Sequence, residues 1–475
     1  MLLLGDRVYK IKKPVRTGFL DFRDRATRDA VCTRETELGR RLAPDVYLGV
    51  THLTDPATGD HEPLVVMARM PEHTRLSTLA DTEPDPLPAV HAIADRIAAF
   101  HATADRGPHI DIEGTATALH RRWQDNLHET RHLDQHLLDP DRLDRLDHHV
   151  TRYLDGRTHL FDDRITDHRI IDGHGDLLAD DIFCLPDGPR ILDCLEFDDH
   201  LRYLDGLDDI ACLAMDLEHL GHPDLADALL TRYTTATDDP APASLRHHYI
   251  AYRAFMRAKV DCIRYLQGHT TSAADALHHT DLTEHHLNLA TVRLALVGGP
   301  PATGKSTVAR ALAARTGATL LSSDTLRRTM FTDQRRTDPH PAYRTGRYSP
   351  DATDRVYRTL LDQARHHLQR GTSVVLDASF TDPRHRRHAT DLADDTHTDL
   401  VQLRCTAPPD VIEHRLHERA GGDHDSEATP DIARALAAHT TPWPDATTLD
   451  TTGDDAVPTA LTHWNRPHRT PEEAP

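Results

Sequence analysis

Positive charge is in short supply in this chain. Lys and Arg number 55 against 76 acids, a formal charge of −21. That balance argues against a duplex nucleic acid partner and against an anionic membrane surface, and it favours solubility. Apolar residues are also few, 38% of 475, so cores can form but the surface must be very polar. Long uncharged apolar runs are missing, which leaves no candidate membrane span. The opening MLLL meets Gly5 and Asp6 after four residues, with no basic leader or cleavage site, so no signal peptide is expected. Cysteine is sparse, at 32, 184, 194, 212, 262 and 405, and no pair has C-x-x-C spacing. A chain of this length needs no disulfide staples, and reduced thiols in a cytoplasmic setting are expected. The 37 His are scattered among Asp, Arg and Thr and read mostly as solvated surface. No internal repeat stands out.

The length implies two or three domains. Val8–Lys12 alternates as a strand, a helix is expected over Arg28–Leu42, and further strands over Val46–Leu53 and Pro63–Met70. Helical periodicity runs from Pro88 to Tyr153 and returns at Ile250–Leu266. Between them, Ile182–Leu185 and Arg190–Leu195 flank a Pro-Asp-Gly turn. This order predicts a small β lobe followed by a large helical lobe. Residues 269–291 lack a strong apolar stripe and read as a helical or irregular linker. Beyond it, apolar strands at Val292–Val297, Ala318–Leu321, Ser373–Leu376 and Leu400–Arg404 alternate with helical segments, the pattern of a doubly wound parallel sheet. The expected division is 1–268, linker 269–291, 292–465, and a charged, Pro-rich disordered tail 466–475.

Gly299-Pro-Pro-Ala-Thr-Gly304-Lys305-Ser306 matches G-x-x-x-x-G-K-[ST] between an apolar strand and a helix. Such a turn aims main-chain N–H groups at phosphates, and the helix N-terminus adds positive potential. The expected ATP contacts are Gly299, Thr303, Gly304, Lys305, Ser306 and Thr307, with Lys305 on the β- and γ-phosphates and Ser306 on Mg²⁺. Asp324 and Asp377 follow two other strands and should face the same crevice. One would accept the proton of an attacking hydroxyl and the other would hold Mg²⁺. Asp324 could instead simply cap the helix after it. Arg415 and Arg419 lie four apart and could sit on a lid over the phosphates. Basic runs at Arg327, Arg328, Arg335, Arg336, Arg344 and Arg347, and at Arg384–Arg387, read mainly as charge-balanced surface, with one or two available to an anionic acceptor.

The strings GGPPATGKSTVARALA, LLSSDTLRR, SVVLDASF and RLHERAGG make Val292 to about Ala435 resemble the small P-loop kinases grouped with gluconate kinase, chloramphenicol phosphotransferase and zeta-toxin-like kinases. The resemblance implies that Asp324 contacts the substrate hydroxyl and that Arg327 lines its pocket.

A second constellation is His174-Gly175-Asp176-Leu177, then Asp181, then Asp193 beyond a hairpin. The spacing follows a kinase catalytic loop: Asp176 orients or deprotonates the hydroxyl, and Asp181 and Asp193 hold Mg²⁺. Lys12 would contact the α- and β-phosphates and pair with Glu35, and Val65–Pro71 would be the hinge. With VYKIKKPV, RRLAPDVYLGV, HGDL, ILDCLEF and AYRAFMRAKV, residues 6 to 268 resemble the aminoglycoside phosphotransferase-like kinases, in the branch fused to a P-loop kinase. Two positions depart from that pattern: Asp181 stands where the family has Asn, and Leu178 where it commonly has a second His. The strand pair covering the phosphates is expected to be absent or shortened. The N-terminal domain could therefore be an inactive pseudokinase.

The leading expectation is a cytoplasmic ATP- and Mg²⁺-dependent kinase acting on a small-molecule hydroxyl. A P-loop regulatory switch and a zeta-like toxin kinase are the alternatives. The acceptor and the oligomeric state are not legible in the sequence.

Overall fold

The computed structural model describes residues 1–15, 21–133, 137–332, 345–419 and 441–466. The chain forms two compact units. One comprises Met1–His148, Phe161–Ala241 and Leu245–Leu289, the other His149–Leu160, Pro242–Ser244 and Ala290–Pro475. The tail 467–475 lies outside the described residues.

The first unit opens with four antiparallel strands, β1 (Leu2–Leu4), β2 (Arg7–Ile11), β3 (Tyr47–Thr54) and β4 (His61–Ala68), in the order β1-β2-β4-β3. Sequence reading assigned no strand to Leu2–Leu4, and its side chains are exposed. β2 carries Lys10, and Lys12 follows the strand's last residue, two positions on and so on the same face if the extended backbone continues. The helix Arg25–Gly39 packs on this sheet. It starts earlier than expected because Asp24 caps it, accepting from Thr27 N–H at 2.9 Å. Beneath lie Cys32, Val46, Tyr47, Val65, Met67, Phe183 and Leu192. The rest of the unit is helical, with two small antiparallel pairs. These are β5 (Ile170–Asp172) with β8 (Tyr203–Asp205), and β6 (Ile182–Leu185) with β7 (Gly188–Ile191).

Of residues 269–291, expected to be a helical or irregular connector, most are helical. Ser272–Ala290 is the last helix of the first unit up to Leu289, where the division falls. It has no strong apolar stripe because polar residues fill much of its buried face: His279, Thr280, Thr283 and His286 are buried. Thr280 and Thr283 return their hydroxyl protons to the helix carbonyls of Ala276 and His279. The His are likewise not all solvated surface, since His101, His174, His248 and His385 are also buried.

The second unit holds a parallel five-stranded sheet in the order β10-β11-β9-β12-β13. Its strands are β9 (Arg293–Gly298), β10 (Thr319–Ser322), β11 (Val374–Asp377), β12 (Asp399–Thr406) and β13 (Thr447–Asp450). β9 is buried along its whole length, which explains its unbroken apolar run. Val308, Ala309 and Leu312 of the helix Lys305–Thr316 pack on Ala295, Val297, Val375 and Leu403. β13 and the helix Ala456–Trp464 escaped sequence reading; the strand, Thr-Thr-Leu-Asp, buries only Leu449. Among the described residues no helix is long and apolar enough to cross a membrane.

Buried imidazoles make the first unit acid-sensitive. Burial pushes His248 and His247 down to about 3 and His219 to about 4, from an ordinary 6.5. Trp123 Nε1–H donates to His248 Nε2 at 3.3 Å, a bond only the neutral ring accepts. The unfolded chain therefore binds more protons than the native one below pH 6.5, and stability falls as pH drops from there towards 4. A buried ring such as His248 contributes on the order of 3 kcal/mol to that loss. Urea unfolding followed by tryptophan fluorescence should show the decline, and His248→Phe should flatten part of it.

Candidate functional site

β9 ends in the turn at 299–304, whose backbone is left-handed at Gly299 (φ 143°), Ala302 (φ 66°) and Gly304 (φ 81°). The two glycines are also required by close approach. A Cβ on Gly299 would lie 2.6 Å from Cys405 O, and one on Gly304 would lie 2.9 Å from Thr451 Oγ1. Thr303 Oγ1 donates to Pro300 O at 2.8 Å and closes the turn. Gly299 N–H donates to Ser379 O at 3.0 Å, tying the turn to the segment after Asp377. Lys305 is the first residue of the helix that follows and is buried.

Asp377 ends β11 in register with Val297 and with Ser322. Burial pushes its carboxyl up, while the Lys305 ammonium and the Ser306 hydroxyl pull it back. Its Oδ1 is buried without a hydrogen-bond partner. A buried carboxylate oxygen left open beside a Ser hydroxyl is the donor set a hard cation uses, so Ser306 and Asp377 fit Mg²⁺. Asp324 is half-buried in the helix Ser323–Met330 that follows β10, close enough for its charge to raise Asp377 further. It does not cap its helix; Ser322 does, its Oγ accepting from Thr325 N–H at 3.5 Å.

Arg327 and Arg347 are buried rather than solvated, and both lie over the Tyr348 ring. Arg327 Nη1 donates to Arg347 O at 2.5 Å. Arg335, Arg336 and Arg344 lie outside the described residues, as does the side chain of Arg419. Arg415 is bound to the turn itself, donating to Ala302 O at 3.3 Å and to Thr451 O at 2.7 Å.

In the first unit the acidic and basic residues form a ladder. Lys12 Nζ lies 2.6 Å from Glu35 and also meets Glu196; Lys10 Nζ lies 2.9 Å from Glu35 and also meets Asp193. Lys12 therefore shares the place sequence reading gave it alone, and Lys10 is the lysine that reaches Asp193. The period-2 pattern was the available signal: residues 10 and 12 share a face. Burial works against the charge of Asp193, and Lys10 more than offsets this, holding the carboxyl low. Asp181 is pushed up to about 7, first by burial and then by Asp193 and Asp176. Such crowding of carboxylates calls for a cation, so Asp181 and Asp193 also suit Mg²⁺. Among the described residues no group of three or more His, Cys, Asp or Glu is arranged to hold a metal alone. Magnesium usually takes one or two carboxylates and keeps oxygen ligands from water and phosphate.

The loop at 174–176 is fixed from behind. Asp209, fully buried, accepts from His174 N–H at 2.7 Å, Gly175 N–H at 2.9 Å and His101 Nε2 at 3.0 Å. His174 Nε2 meets Leu192 O at 3.0 Å, and Arg253 reaches Gly175 O at 2.8 Å while pairing with Asp208 at 2.7 Å. Sequence reading missed Asp209, His101 and Arg253, because distant side chains that grip a loop leave no local pattern.

Residues 294–442 match the family described as AAA domain. Over 453 residues the chain is 47% identical to the uncharacterized protein Rv2004c of Mycobacterium tuberculosis strain H37Rv, spanning 95% of this chain and 91% of that one. It belongs to that protein's family. Among solved structures, a gluconokinase from Sinorhizobium meliloti is 16% identical, with a TM-score of 0.28, covering 36% of this chain and 90% of its own. APH(2")-IIia, solved with GDP and kanamycin, is 14% identical with a TM-score of 0.38, covering 55% and 84%.

Asp209→Ala strips three buried donors of their acceptor and should cost about 3–5 kcal/mol of first-unit stability. Chemical denaturation followed by Trp123 fluorescence checks this.

Proposed function

We propose that the chain is an ATP-dependent small-molecule kinase. Its C-terminal domain would transfer the γ-phosphate to a hydroxyl of a sugar, sugar acid, antibiotic or similar metabolite. The observation that carries this reading is that Lys305 and Asp324, each just beyond a parallel strand, both act by charge on Asp377 at the end of a third, beside the turn 299–304. Phosphoryl transfer needs positioning and charge stabilisation more than covalent help from the protein. The turn amides and the helix N-terminus receive the polyphosphate, and Lys305 neutralises its terminal oxygens. Asp324 accepts the proton of the acceptor hydroxyl. Mg²⁺, held by Ser306 and Asp377, would offset charge on the β- and γ-phosphate oxygens. Arg327, one helical turn from Asp324, would line the acceptor's pocket.

The first unit is proposed as a second kinase-like domain, with Asp176 as its base and Lys10, Lys12 and Glu35 on the nucleotide. One observation favours a binding-only role: Lys10 already occupies Asp193, a residue assigned to the metal.

With Mg-ATP and a panel of polyols, sugar acids and aminoglycosides, the protein should release ADP with at least one acceptor, and Lys305→Ala should abolish that release. Asp324→Asn should lower kcat by about 10²–10⁴, leaving nucleotide affinity nearly unchanged. Unaltered turnover in the Lys305 variant would place the activity elsewhere. A separate activity lost only in Asp176→Asn would show the first unit to be catalytic, and its absence would leave that unit a binding domain.

A further inference from the structure

The turn that receives phosphate must hold its amides towards the ligand before the ligand arrives. In a trans peptide the C=O and the following N–H point in opposite directions, so a carbonyl pinned on one side aims an amide at the other. Thr451, one residue beyond β13, is placed to do this. Its hydroxyl donates to Thr303 O at 2.8 Å. That carbonyl shares a peptide with the Gly304 N–H, which is therefore turned to the opposite side.

The hydroxyl has one proton, and its neighbours decide where it goes. Arg415 Nη1 donates to Thr451 Oγ1 at 3.2 Å, and Thr406 O lies as far away at 3.2 Å, so the shorter contact to Thr303 takes the proton. Thr451 is itself held at both ends. Its N–H donates to Thr406 O at 3.0 Å, and its carbonyl accepts from Arg415 Nη2 at 2.7 Å. Arg415 also reaches the Ala302 carbonyl, so two consecutive peptides of the turn are anchored from the same side. The next carbonyl, that of Gly304, accepts from Thr307 and Val308 N–H, which directs the Lys305 amide the same way.

We infer that Thr451, braced by Arg415, is a positioning residue that aims the Gly304 amide at the nucleotide's β-phosphate. Arg415 thus serves the turn from behind, where sequence reading had placed it on a lid. The inference rests on the reading of the turn as a polyphosphate site. The effect belongs to the phosphates: it acts on ADP and ATP and spares AMP, which a contact to base or ribose would not do.

The test is calorimetric titration of the full chain with MgADP and with AMP, taking as the P-loop signal the MgADP heat that Lys305→Ala removes. Thr451→Val keeps the size and removes the proton. It should weaken that MgADP binding about tenfold, the effect of losing one well-aimed hydrogen bond, with AMP affinity and melting temperature unchanged. Thr451→Ser restores the hydroxyl and should recover affinity to within about threefold. If Thr451→Val does not fold, Arg415→Met carries the same test, with the same selective loss expected. Unchanged MgADP affinity overturns the inference, and so does an equal loss for ADP and AMP. If the wild type shows no Lys305-dependent heat, the polyphosphate reading itself falls, and the inference with it.

Discussion

A lysine and a carboxylate share the end of a buried parallel sheet, and the second unit is arranged around that pair. Lys305 begins a helix whose N-terminus adds positive potential, and Asp377 ends the neighbouring strand with one oxygen left open. In a chain of net charge −21, a polyanion can be received only where positive charge is concentrated locally. On the proposed reading, one ammonium, one helix terminus and the main-chain amides of the turn would supply it. The backbone at Gly299, Ala302 and Gly304 is left-handed, and turns that mix such residues with right-handed ones can point successive amides at one anion.

In the first unit, lysines face carboxylates. Lys10, Lys12, Lys13, Lys259 and Lys305 are the lysines of the sequence, and two of them enter one ladder with Glu35, Asp193 and Glu196. Lys10 in β2 and Lys12 just past its end both turn their ammonium groups to Glu35 of the helix Arg25–Gly39. Asp209 performs the complementary task behind the 174–176 loop, where a buried carboxylate replaces the hydrogen bonds that irregular backbone lacks.

Much of this was legible in the sequence, and the reason differs from place to place. The turn at 299–306 and the carboxylates at 324 and 377 are legible because each stands at or just past the end of a strand whose apolar run marks it. The Lys12–Glu35 pairing could be anticipated from the family pattern, but Lys10 could not be separated from its neighbour until the strand's register was known. Thr451, Asp209 and Arg253 act through single long-range hydrogen bonds, and one-dimensional spacing does not encode such contacts. That the helix Ser272–Ala290 packs with the first unit is not legible, because buried Thr and His fill much of the face where aliphatic residues would mark burial.

The most direct test of the central claim is hydrogen exchange at individual amides with and without MgADP. Gripping of the polyphosphate by the turn predicts slowed exchange concentrated at residues 303–307, absent in the Lys305→Ala protein. Exchange at those amides unchanged by saturating MgADP would contradict it.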